Sequence, residues 1–289
     1  MDGCGYMELK AYGKINLSID VIGQKDDGYH EIRTIMQSIG LYDVINFEKR
    51  KDGIKIYCSN PLVPCDRRNI AYKAFELIKE KYDINSGIEI EINKNIPVSA
   101  GLAGGSTDGA ATIVAANSLW NLGMDYGDMV DIAKMLGADV PFCIRGGTAL
   151  AEGIGDVLSD IDSLDRIDVV LAKPPVSVST KEVYKNLRMD EIIVRPDIDK
   201  LIDAIRHKNI RYIAGNMVNV LETVSIKRYP IIEEIKSIML HFGALGALMS
   251  GSGPTVFGLF DSKESGEKCY NRLIDYIKEV YIVKTIGKY

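Results

Sequence analysis

The fold of this chain is decided by residues 97–108, PVSAGLAGGSTD. An alternating segment comes before them, with Ile88, Ile90 and Ile92 separated by polar residues, and this pattern predicts a strand. The segment after them, to about Leu122, is apolar around nearly its whole circumference, which predicts a buried central helix. Glycines at such a junction let backbone N–H groups turn toward a ligand, and the helix N-terminus adds partial positive charge. The stretch therefore predicts a phosphate-binding loop.

This loop differs from two common nucleotide-binding motifs. No Gly-Lys-Ser/Thr ends it, so it is not a Walker A loop, and its glycines do not fit the Gly-x-Gly-x-x-Gly order of dinucleotide-binding folds. The hydroxyls of Ser106 and Thr107 can contact phosphate oxygens or a bound Mg²⁺. On glycine and hydroxyl content alone, a flexible turn capped by Ser106 is the alternative.

Residues 10–22 form the clearest strand pattern in the chain. Apolar or small residues alternate with polar ones, which predicts a strand with one buried face. Lys14 and Asn16 lie two residues apart on the polar face. From this pattern alone, Lys14 is a surface lysine and Asn16 an ordinary solvent-facing residue.

Mixed helix and strand patterns continue to the end of the chain. Strands are predicted at residues 32–39, 44–49, 54–58, 169–173, 247–250, 255–260 and 280–285, with a turn at 26–28. Helices are predicted at residues 69–82, 180–188, 197–207, 209–221, 230–242 and 262–277. A further helix begins after a capping Asp125 and ends at Gly137. Because these elements do not follow strict βαβ order, the predicted fold class is α+β.

The domain organisation is predicted from one polar run, Ser159 to Asp168. It favours an N-terminal lobe at residues 1–160 and a C-terminal lobe at 161–289. Residues 1–6, which precede a second methionine, are expected to be a loose extension.

Composition and charge argue against several classes of protein. The net charge is −5 and the pI is about 5.4, so no basic surface favours nucleic acid as a partner. The five cysteines are scattered, odd in number and without a CxxC pair, which favours reduced thiols over a disulfide framework or a zinc site. No apolar run is long enough for a membrane span, and the first residues lack a signal-peptide pattern. We therefore expect a cytoplasmic protein that binds neither membrane nor nucleic acid.

Three segments, in the same order, resemble the motifs of the galactokinase, homoserine kinase, mevalonate kinase and phosphomevalonate kinase (GHMP) superfamily. They are residues 10–17, KAYGKINL, residues 97–108, and residues 249–257, MSGSGPTVF. Three more segments are similar to one branch of it, whose members phosphorylate a cytidine-diphosphate-linked polyol. These are residues 28–32, GYHEI, residues 137–142, GADVPF, and residues 175–185, PVSVSTKEVYK.

The resemblance implies a two-lobed α+β GHMP kinase fold, with a ribosomal-protein-like N-terminal lobe that holds ATP and a ferredoxin-like C-terminal lobe on the substrate side. It implies direct in-line transfer of the ATP γ-phosphoryl group to the 2-hydroxyl of the polyol, in the non-mevalonate route to isoprenoid precursors. Mg²⁺ is expected with ATP, held mostly by phosphates and water. The expected partners are these two small molecules, with the chain a monomer or weak dimer.

The resemblance also assigns roles to residues. Asp139 would accept or orient the proton of the acceptor hydroxyl, and Lys14 would keep that carboxylate ionised and compensate developing charge. ATP and its phosphates would contact Pro97, Gly101, Leu102, Ala103, Gly104, Gly105, Ser106 and Thr107. The acceptor would contact Asn16, Tyr29, His30, Tyr184, Gly251, Ser252 and Gly253, with Tyr184 stacked on cytosine. From the residues alone, Asp139 is a helix cap and Tyr184 is a half-buried core residue. Tyr29 and His30 are then surface-turn residues, and residues 251–253 are a hairpin turn.

One departure and three alternatives accompany this interpretation. Ala103 stands where the branch has a third loop glycine, and a positive φ there would cost about 1 kcal/mol. Another GHMP kinase, acting on homoserine or a mevalonate derivative, would not need Tyr29, His30 and Tyr184. A nucleic-acid-binding module is disfavoured by the acidic pI. An inactive scaffold is disfavoured because both Lys14 and Asp139 are present.

Overall fold

The computed structural model describes residues 5–25 and 28–289. Most of the predicted turn at residues 26–28 and of the predicted extension at residues 1–6 lies outside these ranges. The last two residues of that extension are ordered parts of the fold. Gly5 O accepts the Lys49 N–H over 2.7 Å, and the first strand begins at Tyr6. This backbone pairing corrects the prediction for Gly5 and Tyr6.

The chain divides into two compact units, each built from several segments. The first comprises the residues up to Gly13, Leu41–Val98 and Ala103–Arg145, and the second comprises Lys14–Gly40, Ser99–Leu102 and Gly146–Tyr289. Two long strands, β1 (Tyr6–Gln24) and β2 (His30–Arg50), contribute residues to both units.

The first unit packs four helices against short strands. Its other elements are β3 (Ile54–Cys58), α1 (Ile70–Lys81), β4 (Gly87–Asn93), α2 (Gly104–Trp120), α3 (Tyr126–Leu136) and α4 (Val140–Arg145). The end of β2 pairs antiparallel with β4, from Val44 opposite Asn93 to Arg50 opposite Gly87, and β3 runs parallel to β4. Ile45, Phe47 and Ile90 are fully buried in the core that these strands share with the helices.

Helix α2 is the centre of the first unit, as its apolar circumference predicts. Ala110, Ile113 and Ala116 are buried in the core, and α1, α3 and α4 all pack against the helix. A Cβ on Gly109 would lie 2.5 Å from Ile70 Cγ2, so a glycine is required for the close approach of α1. The small residues of α2 thus let three helices surround it.

The second unit contains the remaining elements. They are β5 (Thr148–Glu152), β6 (Val157–Asp160), β7 (Asp168–Lys173), α5 (Thr180–Asn186), α6 (Ile198–Arg206), α7 (Ile210–Asn216), α8 (Glu222–Arg228), α9 (Ile231–His241), β8 (Gly246–Met249), β9 (Val256–Phe260), α10 (Lys263–Leu273) and β10 (Glu279–Lys284). Four of its strands form an antiparallel sheet in the order β10–β7–β9–β8, against which α9 and α10 pack. The start of β2 pairs antiparallel with β5. Antiparallel pairing beside separate helices confirms the α+β class.

Most predicted elements are confirmed, and the errors are local. Asn69 and Asp125 cap α1 and α3 through their side chains, as expected for these residue types. The strands predicted at residues 32–39 and 44–49 are one continuous strand, β2, which also includes the residues between them. The helix predicted at residues 209–221 ends at Asn216, and α8 follows it. The elements α4, β5, β6 and α8 have no counterpart among the predicted elements.

The predicted boundary near residue 160 and the two compact units divide the chain differently. Strands β5 and β6 lie within residues 1–160 but belong to the second unit, and Thr34–Gln37 of β2 pairs with β5 inside that unit. Within the described ranges, no helix is both long and apolar enough to cross a bilayer.

Candidate active site

Lys14 is a buried residue of β1, which corrects its prediction as a surface lysine. Only 4% of it is exposed. Its ammonium group donates to Asn16 Oδ1 over 2.7 Å and lies 3.4 Å from Gly101 O, and its backbone N–H donates to Leu102 O over 3.1 Å. Because a buried lysine must be paired or hydrogen-bonded, these contacts fix its head group beside the start of the glycine-rich loop.

The polar face of β1 is covered from Lys14 to Asp20, so Asn16 is not the solvent-facing residue that the strand pattern alone favours. Asn16 Nδ2 donates to Thr34 Oγ1 over 2.9 Å, and Thr34 in turn donates to Ser18 O over 2.6 Å. The Ser18 hydroxyl donates to Val218 O over 3.2 Å. Asn16 therefore uses its oxygen to hold Lys14 and its amide to stay fixed on β2.

The loop predicted to bind phosphate leads directly into α2. Ala103 occupies the N-cap position with φ 59° and ψ 27°, in the left-handed region, and no side chain caps the helix. The positive φ anticipated for Ala103 is therefore present, at a cost of about 1 kcal/mol. Because no side chain caps the helix, the first-turn N–H groups of Gly104, Gly105 and Ser106 point out of its N-terminus, where they can donate to a ligand.

The two hydroxyls of this loop differ in their surroundings. Thr107 is buried, and its Oγ1 donates to Tyr12 O over 2.8 Å, whereas Ser106 is only half-buried. A Mg²⁺ contact from Thr107 would have to use the remaining lone pairs of an oxygen already anchored to β1. The geometry therefore favours Ser106 as the hydroxyl available to a ligand.

Gly101 lies at a point of close backbone approach within the second unit. It has φ 75°, and a Cβ there would lie 2.3 Å from Ser250 O, which excludes any larger residue. The Ser250 hydroxyl donates to Gly101 O over 2.9 Å, so Gly101 O serves both Ser250 and Lys14. The start of the first glycine-rich loop and the second one, at residues 250–253, are thereby joined.

The second glycine-rich loop is more than a plain hairpin turn. Ser252 Oγ lies 2.8 Å from Thr180 Oγ1, at the N-terminus of α5, and Gly251 has φ 59°. Among the described residues, the N–H groups of Gly251 and Ser252 donate to no protein acceptor. Two adjacent N–H groups of this kind can bind an anion.

The three aromatic residues expected to recognise cytosine all belong to the second unit, and two of them touch. The ring centroids of His30 and Tyr184 are 5.1 Å apart, with 37° between the ring planes. Tyr184 also packs on the core of this unit, whereas Tyr29 is 61% exposed beside Gly28, which has φ 86°. A tilted aromatic pair next to an exposed tyrosine offers ring faces to a planar group.

Asp139 belongs to the first unit and is half-buried in the turn before α4. Its carbonyl oxygen accepts the Cys143 N–H over 3.2 Å, which is the first backbone bond of that helix. Asp139 therefore occupies the position of a helix cap, and the following Pro141 is tolerated because it lies in the first turn.

Sequence reasoning missed a buried ion cluster near the start of α2. Lys94 Nζ lies 2.5 Å from Asp43 Oδ2 and 3.0 Å from Asp108 Oδ2, and all three side chains are at most 3% exposed. A Cβ on Gly104 would lie 3.1 Å from Lys94 Nζ, so the ammonium group sits against the first turn of α2. The only available signal was Asp108 itself, the last residue of the predicted loop.

Sequence reasoning also missed Asn219, a buried residue of the second unit. Its Nδ2 donates to Met249 O and to Gly251 O, each over 2.8 Å. The predicted helix at residues 209–221 concealed this role, because a helix would have used the backbone of Asn219 differently. In the structure, Asn219 instead bridges to Ile19 of β1.

Comparison with known proteins identifies the family of the chain. Residues 69–147 match the model described as "GHMP kinases N terminal domain", and residues 193–279 match "GHMP kinases C terminal". A 4-diphosphocytidyl-2-C-methyl-D-erythritol kinase of Acetivibrio thermocellus is 54% identical over 280 residues, 97% of this chain and 99% of the relative. An enzyme of the same name from Clostridium botulinum is 51% identical, with 97% and 100% covered.

Solved structures give the same result. A crystal structure of 4-(cytidine 5'-diphospho)-2C-methyl-D-erythritol kinase superposes with a TM-score of 0.84 at 30% identity, covering 97% of this chain and 100% of that one. A homoserine kinase from Cytophaga hutchinsonii superposes with a TM-score of 0.79 at 19% identity, covering 100% and 96%, which is a likeness of fold. The chain therefore belongs to the GHMP kinase family, within its branch of 4-diphosphocytidyl-2-C-methyl-D-erythritol kinases.

Proposed function

We propose that this protein transfers the γ-phosphoryl group of ATP to the 2-hydroxyl of 4-diphosphocytidyl-2-C-methyl-D-erythritol, and releases ADP and the 2-phosphate of that compound. The observation that carries the proposal is the near-full-length identity of 54% to a relative that bears this substrate in its name. Homoserine and mevalonate kinases share the fold at under 20% identity, which gives no support to their acceptors.

The reaction needs alignment and charge compensation more than covalent chemistry from the protein. Asp139 would orient the 2-hydroxyl and accept its proton as the oxygen attacks the γ-phosphorus, and the leaving β-phosphate oxygen takes the bond pair. Lys14 would compensate the developing negative charge. Its burial and its bond to Asn16 support this role, since a fixed, desolvated cation acts more strongly than one in water.

The phosphates of ATP would lie at the N-terminus of α2. Support comes from the absence of a side-chain cap there and from the half-buried hydroxyl of Ser106. A hydroxyl oxygen is a ligand that Mg²⁺ accepts, so Ser106 would contribute to an ion held mainly by phosphates and water. When bound, Mg²⁺ would neutralise part of the negative charge of the ATP phosphates.

The acceptor would be recognised by two parts of the second unit. The adjacent N–H groups of Gly251 and Ser252 would receive its diphosphate, and Gly253 would keep the turn that exposes them. Cytosine would stack on Tyr184, with Tyr29 and His30 at its edge; the existing contact between the His30 and Tyr184 rings supports a common recognition surface. We also propose that the chain acts as a monomer or weak dimer in the cytoplasm.

The test is release of ADP by the purified protein with Mg-ATP and four acceptors measured in parallel. These are 4-diphosphocytidyl-2-C-methyl-D-erythritol, homoserine, mevalonate and phosphomevalonate. We expect turnover with the cytidine compound alone, and its loss when EDTA removes Mg²⁺. Turnover with a different acceptor would refute the substrate while leaving the kinase family intact.

A further inference from the structure

Asn219 is a buried polar residue to which no step of the reaction assigns a role. It is 2% exposed, and all of its side-chain polar atoms are engaged. Its amide donates to Met249 O and Gly251 O, and its Oδ1 accepts the Leu221 N–H over 3.0 Å. One side chain therefore fixes the backbone on both sides of Ser250.

The segment around Asn219 supplies further bonds to the same loop. Glu222 Oε1 accepts the Met249 N–H over 2.8 Å, and the Ser225 hydroxyl donates to Ser252 O over 3.1 Å. The carbonyl oxygens of Met249, Gly251 and Ser252 are thus all occupied by side chains of residues 219–225. Because these three carbonyl oxygens are bonded to residues 219–225, the loop backbone is fixed. The N–H groups of Gly251 and Ser252 are then held in place to donate to a ligand.

The loop is also connected to Lys14. Ser250 Oγ donates to Gly101 O, and Gly101 O lies 3.4 Å from Lys14 Nζ. A shift of the loop backbone at Ser250 would therefore move Gly101 O and change the position of the ammonium group. A misplacement of about 1 Å in an enzyme active site can lower turnover by about 10²-fold.

We infer that Asn219 is a positioning residue for phosphoryl transfer. It fixes the loop of residues 250–253 so that its N–H groups face the acceptor, and through Ser250 and Gly101 it sets the position of Lys14. Asn219 itself touches no reacting atom. This inference rests on the proposed function for the identity of the acceptor, but the arrangement of loop and lysine is independent of that identity.

The test is Asn219→Asp, which keeps the shape of the side chain and the acceptor for Leu221 but replaces the donating amide with an oxygen facing two carbonyls. We expect kcat/KM for the acceptor to fall by about tenfold or more, with the KM for ATP unchanged. The matched control is Asn216→Asp, three residues earlier, where an exposed amide donates to Tyr212 O over 2.8 Å. This control should retain wild-type kinetics.

A second variant, Ser250→Ala, removes the hydrogen bond from the Ser250 hydroxyl to Gly101 O. If Asn219→Asp does not fold, this variant alone tests the inference. We expect its kcat to fall by about fivefold, the ordinary worth of one hydrogen bond. Wild-type acceptor kinetics in a folded Asn219→Asp, a KM for ATP raised as much as the KM for the acceptor, or wild-type kcat in Ser250→Ala would overturn the inference. The kinetic constants of each variant are compared with the wild type on whichever acceptor the wild type phosphorylates. If the wild type does not phosphorylate the proposed acceptor, that result refutes the proposed function and leaves this test intact.

Discussion

Lys94 donates to Asp108 Oδ2 over 3.0 Å in a site where both side chains are 3% exposed. Asp43 shares the same ammonium group and also accepts the N–H groups of Asn95 and Ile96, over 2.6 and 2.9 Å. Asp108 Oδ1, in contrast, is buried with no hydrogen-bond partner among the described residues. Two carboxylates and one ammonium group thus share a buried site, and Asp108 is the less well compensated of the two acids.

Removal of the shared cation should destabilise the protein strongly. Lys94→Met would leave two buried carboxylates without a counter-charge, and breaking a buried pair in this way costs about 3–5 kcal/mol. The measurement is the free energy of unfolding from urea titration. The control is Lys268→Met, which removes an exposed ion pair to Glu264 on α10 and should change stability little. Equal effects of the two substitutions would contradict the burial argument.

The stability of the protein should depend on pH through Asp108. Burial, only partly offset by Lys94, raises the pKa of Asp108 to about 7 in the folded state, above its ordinary value of 3.8. The folded protein therefore binds more protons than the unfolded chain between these values, and this contribution to stability is lost as pH rises from about 4 to about 7.

Asp108→Asn isolates this contribution because the amide does not ionise. We expect the melting temperature of the variant, relative to wild type, to increase steadily as the pH is raised across that interval. A difference that stays constant with pH would show that Asp108 does not take up a proton on folding.

Local sequence patterns predict those features of the fold that form between residues close together in the chain. Helix α2 and its glycine-rich entry follow from composition, and Asn69 and Asp125 act as caps because their side chains bond within a few residues. The burial of Lys14 and Asn16 could not be predicted, since alternation shows two faces of a strand but not that distant residues, Gly101 beside Lys14 and Thr34 beside Asn16, cover the polar one. Asn219 was hidden for a similar reason, because its partners Met249 and Gly251 are distant in sequence.

Asp139→Asn should lower turnover by a factor of about 10² or more, because the amide cannot accept the proton of the acceptor hydroxyl. The KM for ATP should stay near that of the wild type. The measurement is steady-state kinetics with the concentration of each substrate varied in turn. The matched control is Asp131→Asn, at an exposed position of α3. Wild-type turnover in Asp139→Asn would remove this residue from the mechanism.

Tyr184→Ala should raise the KM for the cytidine acceptor far more than the KM for ATP. Stacking of a base on an aromatic ring is worth about 1–3 kcal/mol, and the substitution also removes the ring that His30 contacts at 5.1 Å. Tyr184→Phe keeps the ring and should retain a near-normal KM, which separates stacking from any role of the hydroxyl. If Tyr184→Ala raised both KM values equally, the ring would serve the core of the second unit, against which it also packs, rather than cytosine.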